Sequence, residues 1–340
     1  MTETSRIEGE QPSTAATKRF KSVEICAGGG GLALGLESAG FDPVVLIDDH
    51  LVACETLRLN RPGWDVLEAD LRTFDPSLHQ QTYDVDLLSA GLPRVKGAAG
   101  ASRANGSDPE LELIRATIFL VHGMQPRALV LENMPDLVTK PAFEPIRQFV
   151  RDELVHLGYD LRWFVLNAAD FGVPQDRRQG FLVALKGDAI YAFDAPVGLA
   201  TKSTVGEALS RSMGSRGWRG AAEWAAQADR VAPTVVGGSW KRGGADLGPT
   251  GTKRAWARIG VNGRSLADQV PGPDFHFDPS ADLSGFVKLT LEQVATLQGF
   301  PPDWQFAGRK TARYRQIGNA SPPPVSRAVG LALRAALEAC

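Results

Sequence analysis

Apolar runs and amphipathic stretches alternate along the first half of this chain. Residues 21–27 form a short apolar run, and four glycines follow it directly. Residues 32–39 then read as a helix, with Leu32, Leu34 and Leu36 supplying its apolar face. A second strand is predicted at residues 43–47, ending in Asp48 and Asp49. Further strand-like runs lie at residues 84–90, 128–132 and 181–185, and helical patterns at residues 110–124 and 143–157. Strands separated by helix-length segments predict an α/β fold, with a mostly parallel sheet covered on both faces. Ligands of such sheets sit beyond the C-terminal ends of the strands.

Gly28, Gly29, Gly30 and Gly31, preceded by Ala27, fall between a strand and a helix. Glycines there let a ligand approach the backbone, and the helix N-terminus offers free N–H groups. Asp48 lies twenty positions beyond Gly28, at the end of the next strand, where a carboxylate can hold ribose hydroxyls. This pattern points to an adenosine-containing cofactor. A nicotinamide dinucleotide and S-adenosylmethionine fit it equally well.

Composition adds bounds. The chain of 340 residues, with 43% hydrophobic and 22% charged residues, matches an ordinary globular protein with room for one large core and a smaller second domain. No apolar run has the length needed to span a bilayer, so no membrane partner is expected. Residues 1–17 are polar, carry both charge signs and lack the apolar centre of a secretory leader, so a disordered tail is expected there. Cys26, Cys54 and Cys340 show neither metal-ligand nor disulfide spacing; no metal is expected, and a reducing cytoplasm suits them. His50, His122 and His156 read as surface or boundary residues.

A net charge of −2 does not mark a nucleic-acid binder, but the distribution is informative. Residues 201–264 hold eleven Lys or Arg against four Asp or Glu. Trp218, Trp224, Trp240 and Trp256 fall in the same stretch. It can bind phosphates and stack on bases, or be a solvated basic face over a small Trp-filled core.

Ordered motifs then carry a specific resemblance. Residues 24–31 (EICAGGGG), 131–133 (LEN), 171–177 (FGVPQDR), 232–238 (APTVVGG), 289–301 (LTLEQVATLQGFP) and 314–324 (YRQIGNASPPP) resemble motifs of the DNA cytosine-5 methyltransferase family, in the family's order, over about residues 21–335. The resemblance implies a Rossmann-like S-adenosylmethionine-dependent methyltransferase domain with a smaller target recognition domain. Its expected layout is a tail at 1–18, a cofactor-binding domain at 19–190, a DNA-reading domain at 191–285 and a return to the large domain at 286–340. It implies S-adenosylmethionine as cofactor, held by the glycine loop, Asp48, Asp70, Gly91 and Asn319. Duplex DNA is the implied partner, contacted from the basic stretch by Lys241, Arg242, Lys253, Arg254 and Arg258.

In that family the target base is flipped out of the duplex, and a cysteine thiolate adds to carbon 6 before carbon 5 takes the methyl group. Glu132 resembles the glutamate that holds ring N3, and Arg177 a supporting arginine. The cysteine is missing: residues 86–94 read DLLSAGLPR, and Arg94 stands at its position. Gln179 stands where a second arginine is usual, and Met134 where a smaller valine is common. Arginine stays protonated and is not a nucleophile, so ordinary cytosine-5 transfer is expected to be lost. Pairing of Arg94 with Glu132 is expected. The resulting reading is a DNA-binding or regulatory subunit beside an active methyltransferase or a restriction-type nuclease. An active methyltransferase with divergent chemistry is the alternative, and a module for a ligand other than DNA is a third.

Overall fold

The computed structural model describes residues 18–95, 108–198, 201–238, 244–278, 280 and 283–339. Its seven strands are β1 (Phe20–Ile25), β2 (Phe41–Asp48), β3 (Val66–Glu68), β4 (Leu87–Gly91), β5 (Ala128–Asn133), β6 (Tyr159–Asn167) and β7 (Arg178–Lys186). They form one mixed sheet in the order β3-β2-β1-β4-β5-β7-β6. The first five strands are parallel, and β7 runs antiparallel to both β5 and β6. Strand order runs outward from β1 through β2 and in the other direction through β4. A crevice therefore opens beyond the C-terminal ends of β1 and β4.

Eleven helices lie among the described residues: α1 (Gly31–Ser38), α2 (Leu51–Asn60), α3 (Pro109–Met124), α4 (Pro135–Thr139), α5 (Glu144–His156), α6 (Val205–Met213), α7 (Ala221–Gln227), α8 (Thr250–Ala257), α9 (Leu291–Leu297), α10 (Lys310–Asn319) and α11 (Pro323–Glu338). One sheet face packs Val23, Ile25, Leu88, Leu129 and Leu131 against Ile114, Ile118 and Val121 of α3 and Ile146, Val150 and Leu154 of α5. The other packs Leu87, Val130 and Val183 against Leu32 and Leu36 of α1 and Val325, Val329 and Leu333 of α11. Because both faces are covered, every residue of β5 is buried, and its sequence is a continuous apolar run ending in a polar pair.

Helix α11 returns the end of the chain to the cofactor-loop side of the sheet. Its contact with α1 is a backbone approach, which Gly35 permits. A Cβ there would lie 2.3 Å from the Ser326 Cβ and 2.5 Å from the Pro323 carbonyl oxygen.

Helices α6, α7 and α8 surround a separate cluster of large side chains. Trp218, Trp224 and Trp256 are buried with Val205, Leu209 and Met213, and the cluster continues into Leu289, Val294, Phe300 and Ile317. Three of the four tryptophans in the basic stretch therefore fill a core, while Trp240 lies outside the described residues. The charged side chains Arg254 and Arg258 remain exposed on and just after α8. The helices expected from the pattern appear within one residue of their expected limits. Two strands do not follow from it. Strand β3 has three residues, and β6 is an edge strand whose Asp160, Arg162 and Trp163 break any clean alternation. The run expected at 84–90 starts late, at Leu87, because Asp84 turns at φ 53°. No helix among the described residues is long and apolar enough to cross a membrane.

Substituting Gly35→Ala drives a methyl group into the α11 backbone. It is expected to destabilise the fold by about 1–3 kcal/mol, measured as a lower urea midpoint with an unchanged slope.

Candidate active site

A cleft of about 620 Å³ lies at the C-terminal edge of the parallel strands. The turn after β1 forms its floor, with Cys26 at φ 52°, Gly28 at φ 54° and Gly30 at φ 82°. Gly28 N–H donates to Asp48 Oδ2 at 2.8 Å, and His50 N–H donates to Asp48 Oδ1 at 2.9 Å. The β2 carboxylate thus fixes the glycine loop while itself lining the cleft. Trp304 braces the loop from behind, donating from Nε1 to the Gly29 carbonyl at 3.0 Å. Ala27, Gly28, Gly29, Gly31, Asp48, Asp70, Gly91 and Asn319 all line the cleft. Gly30 is not among the lining residues. Its missing Cβ leaves room for Trp304, 2.7 Å away, and Leu57, 2.8 Å away.

The lining includes the carboxyl groups of Glu24, Asp48, Asp49, Asp70, Glu110 and Glu132, with His50, Arg72, Arg94 and Arg315 as its basic groups. An acidic lining complements a cationic ligand and opposes a pyrophosphate. Asp70 is held by Arg72, whose side-chain hydrogen bonds pull its pKa down. His50 sits between Asp48 and Asp49, and its hydrogen bond to Asp48 raises its pKa. Glu24 lies beneath the loop, accepting from Ala33 N–H at 3.2 Å and Ser89 Oγ at 3.1 Å. Burial pushes its carboxyl up to about 8.

Glu132 marks the other end of the cleft, at the end of β5, and is 3% exposed. Its Oε1 accepts from Gln179 Nε2 at 2.8 Å, and the same amide donates to Ser321 Oγ at 2.9 Å. Arg94 Nη2 approaches Glu132 Oε1 to 4.0 Å, an ion pair without a hydrogen bond. The Arg94 backbone is clamped on both sides by Asn133, which accepts from Val95 N–H at 3.1 Å and donates to the Pro93 carbonyl at 3.2 Å. Arg177 is 1% exposed and does not line the cleft. Its Nη1 donates to the carbonyls of Val235 at 3.0 Å and Gly318 at 3.1 Å, and its Nη2 to that of Ala320 at 3.0 Å. Burial lowers its pKa, as does the charge of Arg94, while Glu132 acts in the opposite sense. Arg94 Nη2, Arg177 Nε and Gln179 Oε1 are buried atoms with no hydrogen-bond partner.

Two free thiols, Cys26 and Cys54, lie among the described residues. Cys26 lines the cleft, but burial and then the nearby carboxylates, Asp48 first, push its thiol far up. Cys54 is buried under α2, and desolvation raises it to about 11. Both stay protonated near neutral pH. Of the basic residues expected to meet DNA, Lys253 pairs with Asp246 at 3.2 Å, Arg254 and Arg258 are exposed, and Lys241 and Arg242 lie outside the described residues. None of the three described ones lines the cleft. Sequence reasoning noticed Gln179 only as a departure and did not anticipate its bond to Glu132. Trp304 carried no signal and Ser321 only its place in the 314–324 motif, since the loop and Glu132 reach them only through folding.

Glu24 generates a pH prediction. Its folded pKa of about 8 exceeds the ordinary 4.5, so the folded state holds the proton more tightly. Its contribution to stability is present below pH 4.5 and is lost as pH rises through about 8. Melting curves of Glu24→Gln and wild type are expected to show the variant losing less stability between pH 5 and pH 8.5. Parallel pH profiles would show that Glu24 is already ionised at pH 5.

Comparisons with known proteins agree with this geometry. The family model described as C-5 cytosine-specific DNA methylase matches residues 20–335. The type II methyltransferase M.NaeI of Lentzea aerocolonigenes is 46% identical over 319 residues, covering 93% of this chain and 75% of that protein. The type II methyltransferase M.NgoMIV of Neisseria gonorrhoeae is 40% identical over 327 residues, covering 94% of this chain and 99% of that protein. Two solved structures share the fold: a DNMT2 mutant of Spodoptera frugiperda, with a TM-score of 0.63 and 15% identity, and the Dnmt2 methyltransferase of S. pombe, with 0.60 and 17%. Each covers 93% of this chain and 99% of the other. This chain belongs to the C-5 cytosine-specific DNA methylase family.

Proposed function

We propose that this protein is the S-adenosylmethionine-binding and duplex-DNA-binding modification component of a restriction-modification system, and that it does not act through a cysteine adduct. One observation carries the reading. A single cleft joins the glycine loop and Asp48 to Glu132, and the side chain at the nucleophile position in that cleft is Arg94. Residues 191–285, with the exposed Arg254 and Arg258, are assigned to reading the duplex.

The cofactor, when bound, supplies an electrophilic methyl group. The loop backbone and Asp48 hold the adenosine end. Glu132 is oriented by Gln179 to accept a hydrogen bond from a flipped base. Arg94 keeps its charge and cannot add to carbon 6, and the Cys26 and Cys54 thiols are protonated. The thiolate step is therefore absent. Arg177 supports the site by fixing the wall at residues 235 and 318–320 rather than by touching the base.

Two readings of turnover follow. Arg94 favours a protein that binds DNA and cofactor without transfer, serving beside an active methyltransferase or a nuclease. The comparisons favour retained methyl transfer, which with arginine at residue 94 would need a route without the adduct. A relative named as a type II methyltransferase matches over 99% of its own length, and the cofactor half of the cleft is complete.

The deciding measurement is transfer of labelled methyl from S-adenosylmethionine to a varied duplex DNA pool, with nucleosides identified by mass spectrometry. Arg94→Cys is run beside the wild type. Transfer by the wild type selects the second reading, and the methylated atom reveals the route. With cofactor binding intact, absence of transfer from both proteins selects binding alone. Duplex affinity is expected to fall steeply with salt, because phosphate contacts release counterions. A salt-independent affinity would remove DNA from the proposal.

A further inference from the structure

Charge is distributed unevenly along the cleft. At the adenosine end Asp48, Asp49 and Asp70 are each matched locally. Asp48 accepts from Gly28 and His50, Asp49 faces the His50 ring, and Asp70 is gripped by Arg72. Glu110 lines the wall beside Pro109 and Leu113. At the far end one carboxylate, Glu132, faces two guanidinium groups. Arg94 stands 4.0 Å from it, and Arg177 is buried behind the wall. The group actually hydrogen-bonded to Glu132 is the neutral amide of Gln179. The base end of the cleft thus carries one positive charge in excess.

We propose that Arg94 makes the cleft discriminate against a sulfonium charge, so that the neutral thioether S-adenosylhomocysteine is favoured relative to S-adenosylmethionine. The inference rests on the reading that this cleft holds that cofactor. The two ligands share adenosine, ammonium and carboxylate groups and differ by one methyl group and the charge on sulfur. A methyl group that is to reach a base at Glu132 must point toward that end, so the sulfur is the ligand atom nearest the excess charge. Asn133 clamps the backbone at Pro93 and Val95, so the Arg94 side chain starts from a fixed point at this end of the cleft. Its side chain is 34% exposed, so solvent screens part of the repulsion. Like charges about 7 Å apart at an effective dielectric of about 20, with that screening, change an affinity ratio by roughly tenfold. A protein built this way retains spent cofactor and responds to the ratio of the two forms.

The test is calorimetric titration of each ligand, separately, into the full chain as wild type, Arg94→Ala, Arg94→Gln and Arg94→Lys, with thermal melts confirming that each variant is folded. The dissociation-constant ratio, sulfonium over thioether, is expected to fall roughly tenfold in the alanine and glutamine variants and to stay near the wild-type value in the lysine variant. Thioether affinity itself is expected to change little. An unchanged ratio in all four proteins, with both ligands bound, overturns the inference and leaves the cofactor reading standing. A lysine variant that behaves like alanine also overturns it, because charge would then not be the cause. Failure of both ligands to bind the wild type and every variant removes the cofactor reading and this inference with it.

Discussion

A buried guanidinium holds the two halves of the site together. Arg177 leaves the start of β7 and donates to three carbonyls, two at the end of α10 and one in the loop at Val235. Those groups come from segments about 60 and 140 residues away in sequence. Removing the guanidinium would take a donor from the Val235 and Gly318 carbonyls and leave Ala320 with Gln298 as its side-chain donor, a loss far larger than a surface contact carries. The same tie brings Gly237 and Gly318 into backbone contact; a Cβ on Gly318 would lie 2.5 Å from the Gly237 nitrogen. The cleft wall at residues 318–320 and the segment at residues 235–237 are therefore tied to each other directly.

On that frame the pocket around Glu132 shows a rearranged charge pattern. Glu132 keeps its place at the end of β5 because that strand is buried on both faces and ends in a polar pair. Its partner is the Gln179 amide, which can donate to both Glu132 and Ser321 without bringing a charge. The guanidinium that balances Glu132 from the open side comes from Arg94. Residues 94 and 179 thus belong to one electrostatic arrangement, in which an amide donates the hydrogen bond to Glu132 and a guanidinium faces it at 4.0 Å. The glycine turn and Asp48 are built at the ends of β1 and β2, and Trp304 braces the turn from behind.

Much of this protein was determined by local pattern. The alternation of strands and helices, the glycine turn between β1 and α1, and the acid ending β2 all follow from short-range periodicity and spacing, because burial on both sheet faces imposes continuous apolar runs. The ordered motifs resembling the methyltransferase family placed Glu132, Arg94, Asp70 and Asn319 in one functional set before any geometry, and the cleft indeed collects those four. Edge strand β6 was not legible, since half-exposed strands lack the contrast that periodicity needs.

Tertiary structure alone decided the rest. Composition left two roles open for the tryptophans, and burial assigned Trp218, Trp224 and Trp256 to a core. It also decided that Arg177 braces a wall, that Gly30 serves Trp304, and that Gln179 rather than Arg94 makes the hydrogen bond to Glu132. Each of these depends on partners distant in sequence, brought close by the return of α11 onto α1 and of the residue 300–320 segment onto the glycine loop. Sequence spacing fixes what lies within a turn or a strand. Which donor reaches which acceptor across the fold is set by packing, and only the folded chain specifies it.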